Sequence, residues 1–126
     1  MADGPRGEIT LQTIPMPKDA NGNGDIFGGW LMSQMDLGAA VLARRRARGR
    51  TATVAVDAMQ FLKPVKIGDV VTIYADMVGE GRSSMRIALE VWVHRMPADE
   101  RLKVTEAVFT FVAIDDHGTS RPLPTL

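Results

Sequence analysis

The sequence predicts an α+β fold in which a curved antiparallel five-stranded sheet wraps around one long central helix. Three observations predict it. One segment alone has helical periodicity, and it is apolar almost all round. The other apolar residues recur at every second position, in one short run before that segment and four longer runs after it. The links between the later runs are too short for crossover helices, so neighbouring strands pair antiparallel. A helix without a polar face needs a surface to bury against, and a curved sheet is the only one this chain can build.

The elements follow in order. Glu8 to Ile14 alternates, with Ile9, Leu11 and Thr13 on one side, and Pro15 and Pro17 end that strand. A turn-rich segment, Asp19 to Gly24, comes next. From Gly29 to Ala47 the pattern is helical. Trp30, Leu31, Met35, Leu37, Val41 and Leu42 are spread around the axis, which predicts burial on nearly every side. Thr53 to Leu62 reads as a strand, stopped by Pro64. Asp69 to Gly79 puts Val71, Ile73, Ala75 and Met77 on one face, and Gly79-Glu80-Gly81 turns the chain. Ser84 to Met96 puts Met85, Ile87, Leu89, Val91 and Val93 on one face. Leu102 to Ile114 is the last long strand, and Asp115 to Gly118 turns out of it.

Length and composition narrow the function. A chain of 126 residues fits a single domain, 1–126, with 1–7 and 123–126 expected as flexible ends. Fifteen basic and fifteen acidic residues cancel, which argues against nucleic acid or an anionic membrane as partner. Cysteine is absent, which excludes disulfides and thiolate metal sites and fits a reducing compartment. The start, MADGPRGEI, lacks the apolar run of a signal peptide. No stretch reaches the roughly 20 apolar residues of a membrane span. A cytoplasmic location is therefore expected.

The chemistry concentrates between Asp19 and Asp36, in DANGNGDIFGGWLMSQMD. Glycines at a helix start let a substrate oxygen approach free backbone N–H groups. The helix dipole there favours developing negative charge. Asp36 is a lone carboxylate in an apolar helix, on a stripe with Gly29, Ser33 and Ala40. That stripe is either a solvated face or a narrow lane for a substrate. An anion-stabilising turn near a poised carboxylate suits a hydrolase acting on an acyl group.

Other readings of the same residues are weaker. Asp19-x-Asn21-x-Asn23-Gly24 resembles half a calcium loop, but Trp30 stands where the bidentate Glu belongs. The glycines at 22, 24 and 28 miss the dinucleotide spacing by one residue. A plain tight turn remains an alternative, since Asn and Gly both tolerate positive φ. His94 and His117 without cysteine make a poor zinc set, so no metal is expected. No G-x-S-x-G elbow supports a serine hydrolase. The arginines at 44, 45, 46, 48 and 50 complement a helix C-terminus.

Spacing adds a constraint. Gly29 and Asp36 are seven residues apart, roughly 10 Å along a helix at about 1.5 Å per residue. A nucleophile and an oxyanion donor must both lie within about 3 Å of the reacting group. One helix does not easily supply both, whereas two helices across a two-fold axis can, so the spacing predicts a site shared between subunits.

The residues also carry a resemblance. Asp19-Ala20-Asn21, Gly24, Phe27-Gly28-Gly29 and Asp36, at their spacing, resemble the acyl-CoA thioesterase branch of the hotdog-fold family. The runs VAVDAMQFLKPVKIGD, GRSSM and VTEAVFTFVAID resemble it too, so the likeness covers about residues 8 to 123. In particular the chain resembles the short bacterial YciA-like form, of broad specificity. The resemblance implies hydrolysis of acyl-CoA to CoA and a carboxylic acid. Asp36 would be general base or nucleophile, Asn21 would orient the water or thioester, and the Gly28 or Gly29 N–H would polarise the carbonyl. Val54, Ala55 and Val56 would follow the pantetheine arm. Arg82, Ser83, Ser84 and Met85 would hold CoA, with Lys63 and Arg121 as further phosphate contacts. Coenzyme A would be part of substrate and product, with no separate cofactor. The implied assembly is a dimer, extended to a hexamer as a trimer of dimers. A hotdog hydratase or dehydratase is an alternative, but it wants a His near the helix and residues 19 to 50 contain none. A non-catalytic acyl-CoA-binding protein is another, but no helix-turn-helix output segment is visible.

Overall fold

The computed structural model describes residues 4–126. Its elements are β1 (Glu8–Thr13), a 3-10 turn (Pro17–Asp19), α1 (Gly28–Ala47), β2 (Thr51–Phe61), β3 (Val70–Glu80), β4 (Ser84–Arg95) and β5 (Glu100–Ala113). The strands form one sheet in the order β1-β3-β4-β5-β2, antiparallel throughout. The expected five strands and one helix are present, with boundaries shifted by two residues or fewer.

The core lies between α1 and the inner face of the sheet. Leu31, Met35, Ala39 and Ala43 of α1 meet Val71 and Ile73 of β3, Met85, Ile87, Leu89 and Val91 of β4, and Phe109 and Phe111 of β5. The period-two pattern therefore points inward as expected on β3 and β4. Helix and sheet approach closely at Gly38. A Cβ there would stand 2.8 Å from Ile73 Cγ2 and 2.9 Å from Thr10 Oγ1. The loop before β3 is held by an ion pair between half-buried Arg95 and buried Asp69. Arg95 donates from Nε and Nη2 to the two carboxylate oxygens of Asp69, at 3.0 and 2.8 Å, and Asp69 Oδ2 also accepts the Lys66 N–H. Hydrogen bonding to Asp69 raises the Arg95 pKa above its ordinary value.

Two expectations need correction. Helix α1 is buried on one side only within the chain: Phe27, just before it, and Met32, Leu37 and Val41 are all exposed. The apolar residues opposite the sheet are left uncovered by the described residues. In β1 the alternation fails at a bulge between Ile9 and Leu11. The extra residue reverses the facing, so Ile9 is 55% exposed while the Thr10 hydroxyl is buried beside α1. Residues near both ends of the described chain make contacts with its body. Gly7 (φ +99°) lies so close to β3 that a Cβ would come within 2.4 Å of the Ala75 carbonyl oxygen. The Leu123 N–H donates to the Arg82 carbonyl at 2.8 Å, and Arg46 Nη1 donates to the Pro124 carbonyl at 2.8 Å. Residues 1–3 lie outside the described residues.

Two effects compete in Gly38→Ala. Helix propensity favours alanine by about 1 kcal/mol. Overpacking against Ile73, which is fully buried, costs about 1–3 kcal/mol. The packing term wins, so urea denaturation will show Gly38→Ala to be less stable than the native chain by about 1 kcal/mol.

Candidate active site

The turn before α1 is organised by Asn21. Its Oδ1 accepts the backbone N–H groups of Asn23 (2.8 Å) and Asp25 (3.2 Å). Its own backbone N–H donates to Asp25 O at 2.7 Å. This Asx geometry engages the carbonyl half of the side-chain amide in the turn. The Nδ2 group makes no hydrogen bond among the described residues, so it remains available as a donor.

The helix that follows starts without a side-chain cap. Phe27 occupies the cap position in an extended conformation, and the first helical bond runs from the Leu31 N–H to Phe27 O at 3.2 Å. The N–H groups of Gly28, Gly29 and Trp30 have no partner among the described residues. A Cβ on Gly29 would meet nothing within 4 Å, and one on Gly28 would touch the Phe61 ring at 3.4 Å. The chain thus leaves an open set of donors at the positive end of α1.

Asp36 lies along α1 on the side facing β2, half-buried. The Thr53 hydroxyl donates to its Oδ1 at 2.6 Å. Its Oδ2 takes no hydrogen bond among the described residues. Ser33, on the same stripe, turns its hydroxyl back to the Trp30 carbonyl at 2.7 Å. Within one chain the uncapped donors and Asp36 belong to the same helix, and about 10 Å of helical rise separates Gly29 from Asp36. The two features therefore sit near opposite ends of β2, Phe61 beside Gly28 and Thr53 on Asp36.

The remaining predicted residues divide. Val54 and Ala55 are exposed, but Val56 packs against the core, so the trio does not present one surface. Arg82 is exposed at the β3–β4 turn with Ser83 and Ser84 half-buried beside it. The Met85 side chain cannot join them: it is wholly buried, because alternate residues of β4 face inward. Arg121 is committed elsewhere, Nε donating to Ile114 O and Nη2 to Ala47 O, both at 3.0 Å, where it satisfies the last turn of α1. Lys63 is instead brought to the N-terminus of α1. It lines a cleft of about 330 Å³ with Gly28, Ile26, Leu31, Phe61 and Val65. Sequence reasoning missed Thr53 and Phe61. A hydroxyl or aromatic ring on a strand carries no signal until the strand is known to lie beside the helix.

A family profile described as the thioesterase superfamily matches residues 23–96, which include Gly28, Gly29, Asp36 and Arg82. The acyl-CoA thioester hydrolase YciA of Salmonella typhimurium is 54% identical over 98% of this chain and 96% of its own length. The chain belongs to the thioesterase superfamily. A hexameric thioesterase from Yersinia pestis matches the fold with a TM-score of 0.93 at 56% identity, over 97% of this chain and 99% of that one. HI0827, a hexameric broad-specificity acyl-coenzyme A thioesterase, matches at a TM-score of 0.92 and 53% identity, over 97% of this chain and 84% of that one. The expected hotdog fold and YciA-like kinship stand, and the chain is a thioester hydrolase.

The Thr53 hydroxyl fixes Oδ1 of Asp36, so with Asp36 as the candidate catalytic group Thr53 is a positioning residue. Thr53→Val keeps shape and strand preference but removes the hydroxyl. It will lower kcat by about tenfold with a smaller change in KM, the pattern of a misdirected catalytic group. Thr53→Ser will restore most of the loss, as steady-state kinetics on a thioester substrate will show.

Proposed function

We propose that the protein hydrolyses acyl-CoA thioesters to CoA and a carboxylic acid, at a site built by two subunits. The observation that carries this reading is the placement of the two halves of the chemistry at opposite ends of β2. Asp36 is tied to Thr53 near its start, and the uncapped Gly28-Gly29 turn adjoins Phe61 at its end. β2 is an edge strand, hydrogen-bonded among the described residues to β5 alone. Pairing it antiparallel with its two-fold copy about a centre near Asp57, midway between 53 and 61, sets Thr53 of one chain against Phe61 of the other. Asp36 of the partner subunit then faces Gly28, Gly29 and Asn21. Such pairing also removes an exposed strand edge and covers Val54, Phe61 and the bare apolar side of α1.

In that site the thioester carbonyl oxygen accepts from the N–H groups at the head of α1, which stabilise the oxyanion as it forms. Asn21 Nδ2 orients the attacking water or the thioester. The free Oδ2 of Asp36 either removes a proton from water as it attacks the carbonyl carbon, or attacks that carbon itself. Collapse expels the CoA thiolate, which takes up a proton. Attack by Asp36 leaves a mixed anhydride that water then cleaves, so both routes consume one water and release one acid and one thiol. Arg82, with Ser83 and Ser84, supplies charge and hydroxyls for the CoA phosphates and pantetheine, and exposed Lys63 is a second cation near the cleft. Broad acyl specificity, a dimer that assembles further into a hexamer, and a cytoplasmic location complete the reading. The hexameric state of the Yersinia pestis enzyme and of HI0827 supports the assembly. No helix among the described residues is long and apolar enough to cross a membrane.

Thiol release from a panel of acyl-CoAs tests the proposal. The native protein will turn over several of them, and Asp36→Asn will lose on the order of 10² or more in kcat. Near-normal turnover by Asp36→Asn would rule out the assignment of that residue. No turnover by the native protein on any member would rule out the activity.

A further inference from the structure

We propose that Arg46 is a positioning residue for the β3–β4 turn: with Glu80, Leu123 and Pro124 it closes a ring that holds Arg82 ready for the CoA phosphates. The inference rests on the acyl-CoA reading of Arg82 and names what orders that residue. Arg82 is exposed at the tip of the turn, and its guanidinium makes no hydrogen bond among the described residues. An arginine on a loose loop loses affinity to the entropy of ordering loop and side chain together. A turn already fixed in the free protein avoids the loop's share of that loss.

Three elements hold this turn from outside. From β5, the Ala113 N–H donates to the Ser83 carbonyl at 2.9 Å. From the C-terminal segment, the Leu123 N–H donates to the Arg82 carbonyl at 2.8 Å, while the Leu123 side chain packs against the core. The third hold comes from α1. Arg46, in its last turn, donates from Nε and Nη2 to the two carboxylate oxygens of Glu80, at 2.8 and 2.9 Å. Its Nη1 donates to the Pro124 carbonyl at 2.8 Å. Glu80 stands two residues before Arg82, and Pro124 follows Leu123. The path from Arg46 through Glu80, Arg82, Leu123 and Pro124 therefore returns to Arg46. One guanidinium joins the helix, the turn and the C-terminal segment. Its side chain is 17% exposed and that of Glu80 33%. The neighbouring Arg45 makes a pair of the ordinary surface kind with Glu8, the side chains 58% and 50% exposed. The fork of Arg46 on both carboxylate oxygens is a geometry that lysine does not reproduce.

A cation near a phosphate site can also act by plain attraction, and Glu80→Ala separates the two effects by sign. Attraction alone predicts that removing an acidic residue lowers KM for acyl-CoA. Positioning predicts that it raises KM. The test is steady-state kinetics on an acyl-CoA and on the same acyl group carried by pantetheine, which lacks the nucleotide. Arg46→Ala and Glu80→Ala will each raise KM for acyl-CoA about fivefold, the scale of ordering a loop and its side chains, with little change in kcat. The double variant will lose no more than either single one, because each breaks the same ring. Arg46→Lys will recover only part of the loss. On acyl-pantetheine neither single variant will shift KM, and in an Arg82→Ala background neither will add to the loss. A KM for acyl-CoA that falls or stays put in Glu80→Ala would overturn the positioning role and leave thioester hydrolysis intact. So would a rise that persists on acyl-pantetheine or in the Arg82→Ala background. An Arg82→Ala protein with the native KM for acyl-CoA would overturn the reading of Arg82 itself, and the proposal with it.

Discussion

Helix α1 carries both features from which the proposed site is built. Its uncapped N-terminus offers the donors of Gly28, Gly29 and Trp30, and Asp36 lies two turns further on. The rise of an α-helix puts about 10 Å between Gly29 and Asp36, more than any acyl carbonyl spans. That separation cannot be closed by side-chain rotation. The edge position of β2 and the bare apolar side of α1 both fit the proposal that a second chain closes the gap.

The surface of the single chain fits that conclusion. Phe27, Met32, Leu37, Val41, Val54 and Phe61 are each between 39% and 57% exposed. They come from the N-terminal cap, the outer side of α1 and the free edge strand. Covering large apolar side chains contributes about 25 cal/mol for each Å² removed from water. An edge strand with unpaired N–H and carbonyl groups is also a template for another strand. Burial and hydrogen bonding therefore favour the same partner surface. The Thr53 hydroxyl holds Asp36 against the start of that strand, so the strand proposed to pair with the partner also carries the group bonded to the carboxylate.

Much of this was legible in the sequence, for identifiable reasons. The alternation of Val71, Ile73 and Ala75, and of Met85 through Val93, fixes which face of β3 and β4 points inward, and the structure obeys it. The apolar character of α1 all round was read as a demand for burial on nearly every side, which the described residues meet on one side only. What periodicity cannot say is whether the covering surface lies in the same chain, and the described residues cover only the side of α1 that faces the sheet. Bulges were invisible: one residue out of register turns Thr10 inward in place of Ile9. The motif residues Asn21, Gly28, Gly29 and Asp36 lie where their spacing put them on the turn and helix. Residues carried over with a motif fared less well where the strand or tail already used them. Met85 fills the core, and Arg121 satisfies carbonyls at the end of α1. Thr53 and Phe61 emerge only from three-dimensional proximity.

Subunit complementation tests the shared site most directly. Asn21→Ala and Asp36→Ala proteins, each inactive alone, are unfolded together, refolded and assayed for thiol release. Random pairing makes about half of the dimers mixed, and each mixed dimer carries one site with both residues intact and one with neither. If sites act independently, a shared site predicts recovery of roughly a quarter of native activity. A mixture that stays as inactive as its parents, with exchange of subunits verified by mass, would place Asn21 and Asp36 in the same site of one chain and contradict the geometry.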